Sequence, residues 1–284
     1  LTEVGAADRD YRANQGHQAA VVGGIDASFS VRGGLHNADH ATGYFVLASK
    51  ALARNQGHLA QLLVDTLANP RFDEPGRIRE LMAQFRVMEE SRVTDSGHSL
   101  ALSAANHGLS LPGTLNEQWS GLTATAQLKS LDQALDDEGR LAQLISVFQG
   151  IAQTLLGSHR QLVAVAQSGA HAAFGEALDN ALLALPSAST TKAGLLVVDS
   201  VSPTDVAWLV NSQVNFCARA FKAAPQGHAD SAALMVLGGL MRNEFLHREL
   251  REKGGAYGGG ANYDGGSGTF GFFSYRDPRL SGTL

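Results

Sequence analysis

Cysteine is almost missing from this chain: Cys217 is the single one among 284 residues. No intrachain disulfide framework can form, and the Cys-rich zinc modules are excluded. A reducing intracellular setting, cytoplasm or organelle matrix, is the easier fit. Cys217 lies in the run Val214-Asn215-Phe216-Cys217-Ala218, where a lone thiol reads as a small buried hydrophobe and not as a nucleophile. Basic runs are lacking too. With 22 Lys and Arg against 27 Asp and Glu, the net charge is −5, which leaves no electrostatic footprint for nucleic acid or an anionic membrane surface. No apolar stretch approaches the roughly 18 residues that cross a bilayer, and no charged start leads into an apolar secretory segment. Gly258-Gly259-Gly260 lacks the Lys and Ser/Thr of a phosphate-cradling loop, so nucleotide binding has no support.

What is present is ordinary globular material, 44% hydrophobic and 17% charged, long enough for about two domains with cores of their own. Ile25 to Val31 alternates apolar with polar or small residues between Gly23-Gly24 and Gly33-Gly34, as a half-buried strand does. Tyr44 to Ala48 is a second short strand, and the two suggest an antiparallel hairpin. From about Asn55 to Leu156 the chain is helical in character. Leu59, Leu62, Leu63 and Leu67 recur at three- and four-residue steps, the mark of an amphipathic helix. Asn69-Pro70 breaks it, Asp73 is placed to cap the next helix, and further helices are expected around Ala124–Leu135 and Leu141–Leu156.

Gln161 to Val165 reads as a strand and Ala177–Leu185 as a short helix. Ser187 to Thr191, rich in Ser and Thr, reads as a surface connection and marks the expected boundary between a first domain, 1–186, and a second, 187–284. Beyond it, Gly194–Val198 and Asn215–Phe221 are strand-like. Ala229–Leu250 is a long amphipathic helix stopped by Gly254-Gly255, and strands near Ala256–Tyr263 and Gly268–Tyr275 close a hairpin. The sum is an α+β fold: two repeated layers of mostly antiparallel sheet packed on helices, the second domain expected to be truncated.

The chemistry concentrates in Leu250-Arg251-Glu252-Lys253-Gly254-Gly255-Ala256-Tyr257-Gly258 and in the later Ser274-Tyr275-Arg276-Asp277-Pro278. Arg251 stands at a helix end, where a cation suits the dipole, and Tyr257 opens a strand. A guanidinium and a phenol on one helix-turn-strand corner can together donate to a carbonyl oxygen or an oxyanion. From spacing alone, a capped helix with a solvated Arg and a half-buried Tyr explains the same residues.

Those two strings, with Leu1-Thr2-Glu3-Val4-Gly5 and the Gly23-Gly24-Ile25 strand, resemble the non-catalytic C-terminal half of the pitrilysin/insulinase superfamily of zinc metallopeptidases, closest to its presequence-protease branch. The resemblance covers most of the chain. It implies repeated α+β domains in a second, metal-free half, whose Arg and Tyr, here Arg251 and Tyr257, reach across a chamber to the peptide substrate near a zinc held by the N-terminal catalytic half. That half carries an inverted H-x-x-E-H helix with a distant Glu ligand. No H-x-x-E-H occurs here.

The nearest imitation, His36-Asn37-Ala38-Asp39-His40, falls between two strands where a loop is expected, and Asp is one methylene shorter than the Glu that serves as base. His58, His98, His107, His171, His228 and His247 show no ligand spacing, and Trp119 and Trp208 read as packing residues. The expectation is therefore a substrate-binding piece of a zinc metalloendopeptidase, inactive alone, its zinc and catalytic half lying in polypeptide beyond this sequence. The chain starts at Leu1 and not at Met, and stops at Leu284 just past its last hairpin, as a piece of a larger protein does. The alternative is a binding or assembly module of the same fold that belongs to no active peptidase.

Overall fold

The computed structural model describes residues 1–187 and 205–284. Most of Ser187–Thr191 and the strand expected at Gly194–Val198 lie outside the described residues. Two compact units are interleaved along the chain.

The first unit comprises Leu1–Ser30, Phe45–Gln84 and the described part of Asp132–Gly194. Its elements include β1 (Gly5–Ala6), α1 (Tyr11–Val21), α2 (Gln56–Ala68), β4 (Pro70–Arg71), α7 (Glu138–Gly157) and α8 (His171–Leu182). α1 begins because Asp10 accepts from the Ala13 N–H at 2.8 Å, satisfying a donor left open at every helix start. β1 and β4 pair antiparallel, Gly5 opposite Arg71. One core gathers Val4, Phe72, Ile78 and Ala152 with Leu144 and Phe148; a second joins Ala60 and Val64 of α2 to Leu178 and Ala181 of α8. Each such large side chain taken from water contributes about 1.5–3 kcal/mol.

Three expectations change here. Gln161–Val165 forms no strand: Val163 is 78% and Val165 89% exposed, and an apolar run becomes a strand only where a neighbour pairs its backbone. Asp73 does not cap the following helix, α3 (Pro75–Asp95); its carboxylate takes two hydrogen bonds from Arg71, at 3.1 and 3.0 Å, which hold its pKa below the usual carboxylate value. α8 begins at His171, earlier than the residues around Ala177 suggest.

β2 (Ile25–Arg32) and β3 (Thr42–Ser49) pair as a two-stranded sheet whose residues, like those of α3, are divided between the units. The second unit holds Val31–Tyr44, Phe85–Leu131 and the described part of Leu195–Leu284, with α4 (Gly97–Asn106), α5 (Leu111–Ser120) and nearly all of α6 (Leu122–Ala134). Ser110 caps α5 by accepting from the Gly113 N–H, with Pro112 in the first turn. β5 (Ala218–Lys222), β6 (Gly258–Asp264) and β7 (Thr269–Tyr275) form an antiparallel sheet in the order β5-β7-β6. α9 (Ser231–Leu240) runs into α10 (Met241–Glu252), whose turns are π-helical.

Ala261 and Phe270 pack against Leu246 and Leu250 of α10. On the opposite sheet face, Gly271 leaves room for Leu102 of α4: a Cβ there would lie 2.3 Å from a Leu102 methyl. Alternation along β7 therefore makes a helix–sheet–helix sandwich. The fold class is α+β.

Candidate functional site

The last turn of α10 builds the corner. Lys253 N–H donates to the Arg248 carbonyl, Gly255 N–H to Arg251 and Ala256 N–H to Leu250, each at 3.0 Å. Gly255 takes a φ of +80°, open to glycine because no Cβ meets the preceding carbonyl. The chain reverses and delivers Tyr257 immediately before β6, where its N–H donates to the Arg276 carbonyl at 3.3 Å.

Arg251 and Tyr257 are brought together: the guanidinium carbon lies 5.7 Å from the ring centre. The Tyr257 side chain is well exposed, the residue retaining 67% of its accessible surface. Its ring meets Tyr275 edge to face at 5.8 Å, a favoured aromatic geometry. Gly258 stands opposite Tyr275 in the β6–β7 register.

Arg276 stacks over Tyr275 at 5.4 Å. Tyr275 also touches His98 of α4 at 4.9 Å and Phe216 at 5.7 Å. Burial pushes the His98 imidazole pKa down, and its Nδ1 is buried with no hydrogen-bond partner.

The carboxylates of α10 are engaged elsewhere. Glu249 accepts from Lys253 at 2.8 Å and Arg248 at 3.2 Å, which lowers its pKa, the Lys253 bond first; Glu252 faces His247 at 3.5 Å. Among the described residues, no carboxylate lies within ion-pairing distance of Arg251 or Arg276. Two guanidinium groups and a phenol thus stand at one corner with donors free to meet a carbonyl oxygen or an anion. Reading the sequence singles out Arg251 and Tyr257 but gives no role to Tyr275, Arg276 or His98; β7 register and α4 packing, which no local pattern carries, place these three beside them.

His36 and His40 sit in the loop between β2 and β3, held as a turn by His40 N–H donating to the Asn37 carbonyl at 3.1 Å. Asp39 is committed: one carboxylate oxygen accepts from the Leu111 N–H at 3.1 Å, the other from Lys222 at 3.5 Å. No cluster of three or more His, Cys, Asp or Glu able to hold a metal occurs among the described residues. Cys217 is buried, and burial raises its thiol pKa, against a nucleophilic role. A cleft of about 350 Å³ beside α4, α5 and the sheet is polar, but Asp264 within it already accepts from Gly266, Ser267 and the Ser267 hydroxyl, and Arg92 is paired with Glu89. No helix among the described residues is long and apolar enough to cross a membrane.

Comparison with known proteins places this corner. A family model for the region associated with subfamily C of the pitrilysin-family peptidases matches residues 1–131, and one described as "PreP C-terminal domain" matches residues 205–284, which include Arg251 and Tyr257. This is a presequence-protease-like chain of the pitrilysin family. It is 27% identical to the mitochondrial presequence protease of Danio rerio over all of this chain and 30% of that protein. It is 28% identical to presequence protease 1, chloroplastic/mitochondrial, of Arabidopsis thaliana over all of this chain and 26% of that protein. Over 82% of this chain it is 32% identical to the mitochondrial presequence protease of Emericella nidulans, covering 23% of that relative. The chain thus spans no more than 30% of the length of these three family members.

Proposed function

We propose that this chain is the substrate-binding, non-catalytic portion of a zinc metalloendopeptidase that degrades peptides, partnered by an N-terminal catalytic half of the same protein and working in an organelle matrix. The observation that carries the reading is the pairing of Arg251 with Tyr257 on one rigid corner, both free to donate. The relatives' names, presequence proteases of mitochondria or chloroplasts, supply the substrate class and the compartment.

The zinc belongs to the other half. The residues present here do not fit it, since Asp39 is committed elsewhere and His36 and His40 stand in a turn. No step on this chain runs through a metal. Its contribution is positional: Arg251 N–H and Tyr257 O–H donate to the carbonyl oxygen of the bond to be cut, and those bonds strengthen as negative charge grows there. Donors fixed before the reaction need no reorganisation during it. The domain boundary near residue 187 belongs to the same proposal.

In the full-length protein, Arg251→Ala and Tyr257→Phe should each lower kcat/KM about 100-fold, the scale of losing one oxyanion donor, with metal content and melting temperature unchanged. Normal turnover in both variants would defeat the assignment. The chain on its own should not hydrolyse peptides, and hydrolysis by it above background would argue against a non-catalytic role.

A further inference from the structure

Two non-glycine residues among those described take a positive φ, Ala7 and Arg276. Such a conformation is uncommon outside glycine, and where it occurs the surroundings must over-determine it. At Arg276 they do. The next residue, Asp277, is fully buried. Its backbone exchanges two hydrogen bonds with Asn215, at 2.7 and 2.9 Å. Its carboxylate accepts from the Arg279 N–H at 2.9 Å and from the Thr283 hydroxyl at 2.8 Å. That lock fixes Arg276 at a φ of +50°, its carbonyl held by Tyr257 N–H and its guanidinium over Tyr275.

The result is a ladder: Arg251 on Tyr257, Tyr257 on Tyr275, Tyr275 under Arg276. Its two cationic ends lack carboxylate partners among the described residues. An exposed arginine in a strained, locked backbone, stacked so that its planar fork is pre-oriented, suits bidentate capture of a carboxylate. We propose that Arg276, oriented by Tyr275, forms a carboxylate-recognising subsite beside the Arg251–Tyr257 pair. It takes a peptide's carboxylate, supplied by an acidic side chain or by the C-terminus. The proposal deepens the peptide-binding reading above and rests on it, but its test reads binding and not turnover.

The experiment uses full-length protein stripped of metal by chelation, so that probes stay intact, and measures anisotropy of fluorescein-labelled peptides. Three probes share one sequence: a peptide with one Glu and a free C-terminus, the same peptide with the C-terminus amidated, and the same peptide with Glu changed to Gln. Wild type should bind the probe carrying the recognised carboxylate about tenfold more tightly than the probe lacking it, as expected of a charge-assisted bond. Loss on amidation assigns the terminus; loss on the Glu-to-Gln change assigns the side chain. Arg276→Gln should abolish the difference and Arg276→Lys should keep part of it.

Arg276→Gly separates recognition from architecture, because glycine accepts the positive φ at no cost: it should melt no lower than wild type and still lose the preference. Equal binding of all three probes by wild type, or an unchanged preference in Arg276→Gln and Arg276→Gly, overturns the subsite. Neither result depends on whether Arg251→Ala slows turnover, so failure of the subsite and failure of the peptidase reading remain distinguishable.

Discussion

In the first unit, arginines lie against carboxylates. Arg9 holds Asp65 at 2.6 Å, Arg77 reaches Glu3 at 3.2 Å and Glu80 at 3.0 Å, and Arg79 joins Asp132 and Asp136. In the second unit's corner, Arg251 and Arg276 lie against tyrosine rings with no carboxylate in reach. Paired cations of low exposure stabilise a scaffold, because removing either partner strands the other. Exposed cations stacked on aromatics contribute little to stability and keep their donors for something outside the chain.

The sharpest way to break this contrast is at the corner. Arg251→Ala and Tyr257→Phe carry the largest expected change, about a hundredfold loss of kcat/KM in the full-length protein, with the melting temperature close to that of wild type. If either variant lost stability in proportion to activity, the corner would be scaffold like the first unit. The reverse experiment is Asp65→Ala. It leaves Arg9 with only the exposed Asp8 and frees Gln61, which donates to the same Asp65 carboxylate at 2.7 Å. The change should cost about 2–3 kcal/mol in urea unfolding while leaving kcat of the folded protein unchanged.

Gly97→Ala probes the support beneath the corner. A Cβ there would lie 2.4 Å from the Phe216 ring, and Phe216 touches Tyr275; the displacement should cost about 1–3 kcal/mol and lower turnover only severalfold.

The smallest effect is a pH dependence. His98 has its pKa lowered from 6.5 by burial, so between the lowered and the ordinary value the unfolded chain binds more protons than the folded one. The neutral ring's contribution is complete above pH 6.5 and declines as pH falls below it. His98→Phe should flatten that decline in a series of unfolding midpoints; an unchanged slope would mean His98 does not titrate differently on folding.

Legibility in the sequence follows the range of the interaction. Strand alternation at residues 25–31, the leucine steps of α2 and the glycine stop after α10 are local signals, and the structure follows them. No apolar periodicity marks α1, although Asp10 announces it, because capping is a weaker cue than periodicity. α4 and α5 are visible only as part of a helical stretch, their Gly, Ser and Ala content blurring any apolar stripe. Gln161–Val165 shows the opposite error: its composition fits a strand, but strand formation needs a partner.

At the site, the proximity of Arg251 and Tyr257 could be read from the sequence because a helix end, a glycine reversal and a strand start fix both within six residues. The sequence alone therefore determined the fold class, the hairpins, the Arg–Tyr corner and the absence of an H-x-x-E-H helix, all of them properties of neighbours along the chain. Only tertiary structure decided that β7 returns beside β6, setting Tyr275 against Tyr257 and Arg276 above it, and that α4 slides His98 underneath. Those contacts join residues up to 177 positions apart (98 to 275), and packing between distant segments depends on register and shape complementarity that no local pattern encodes.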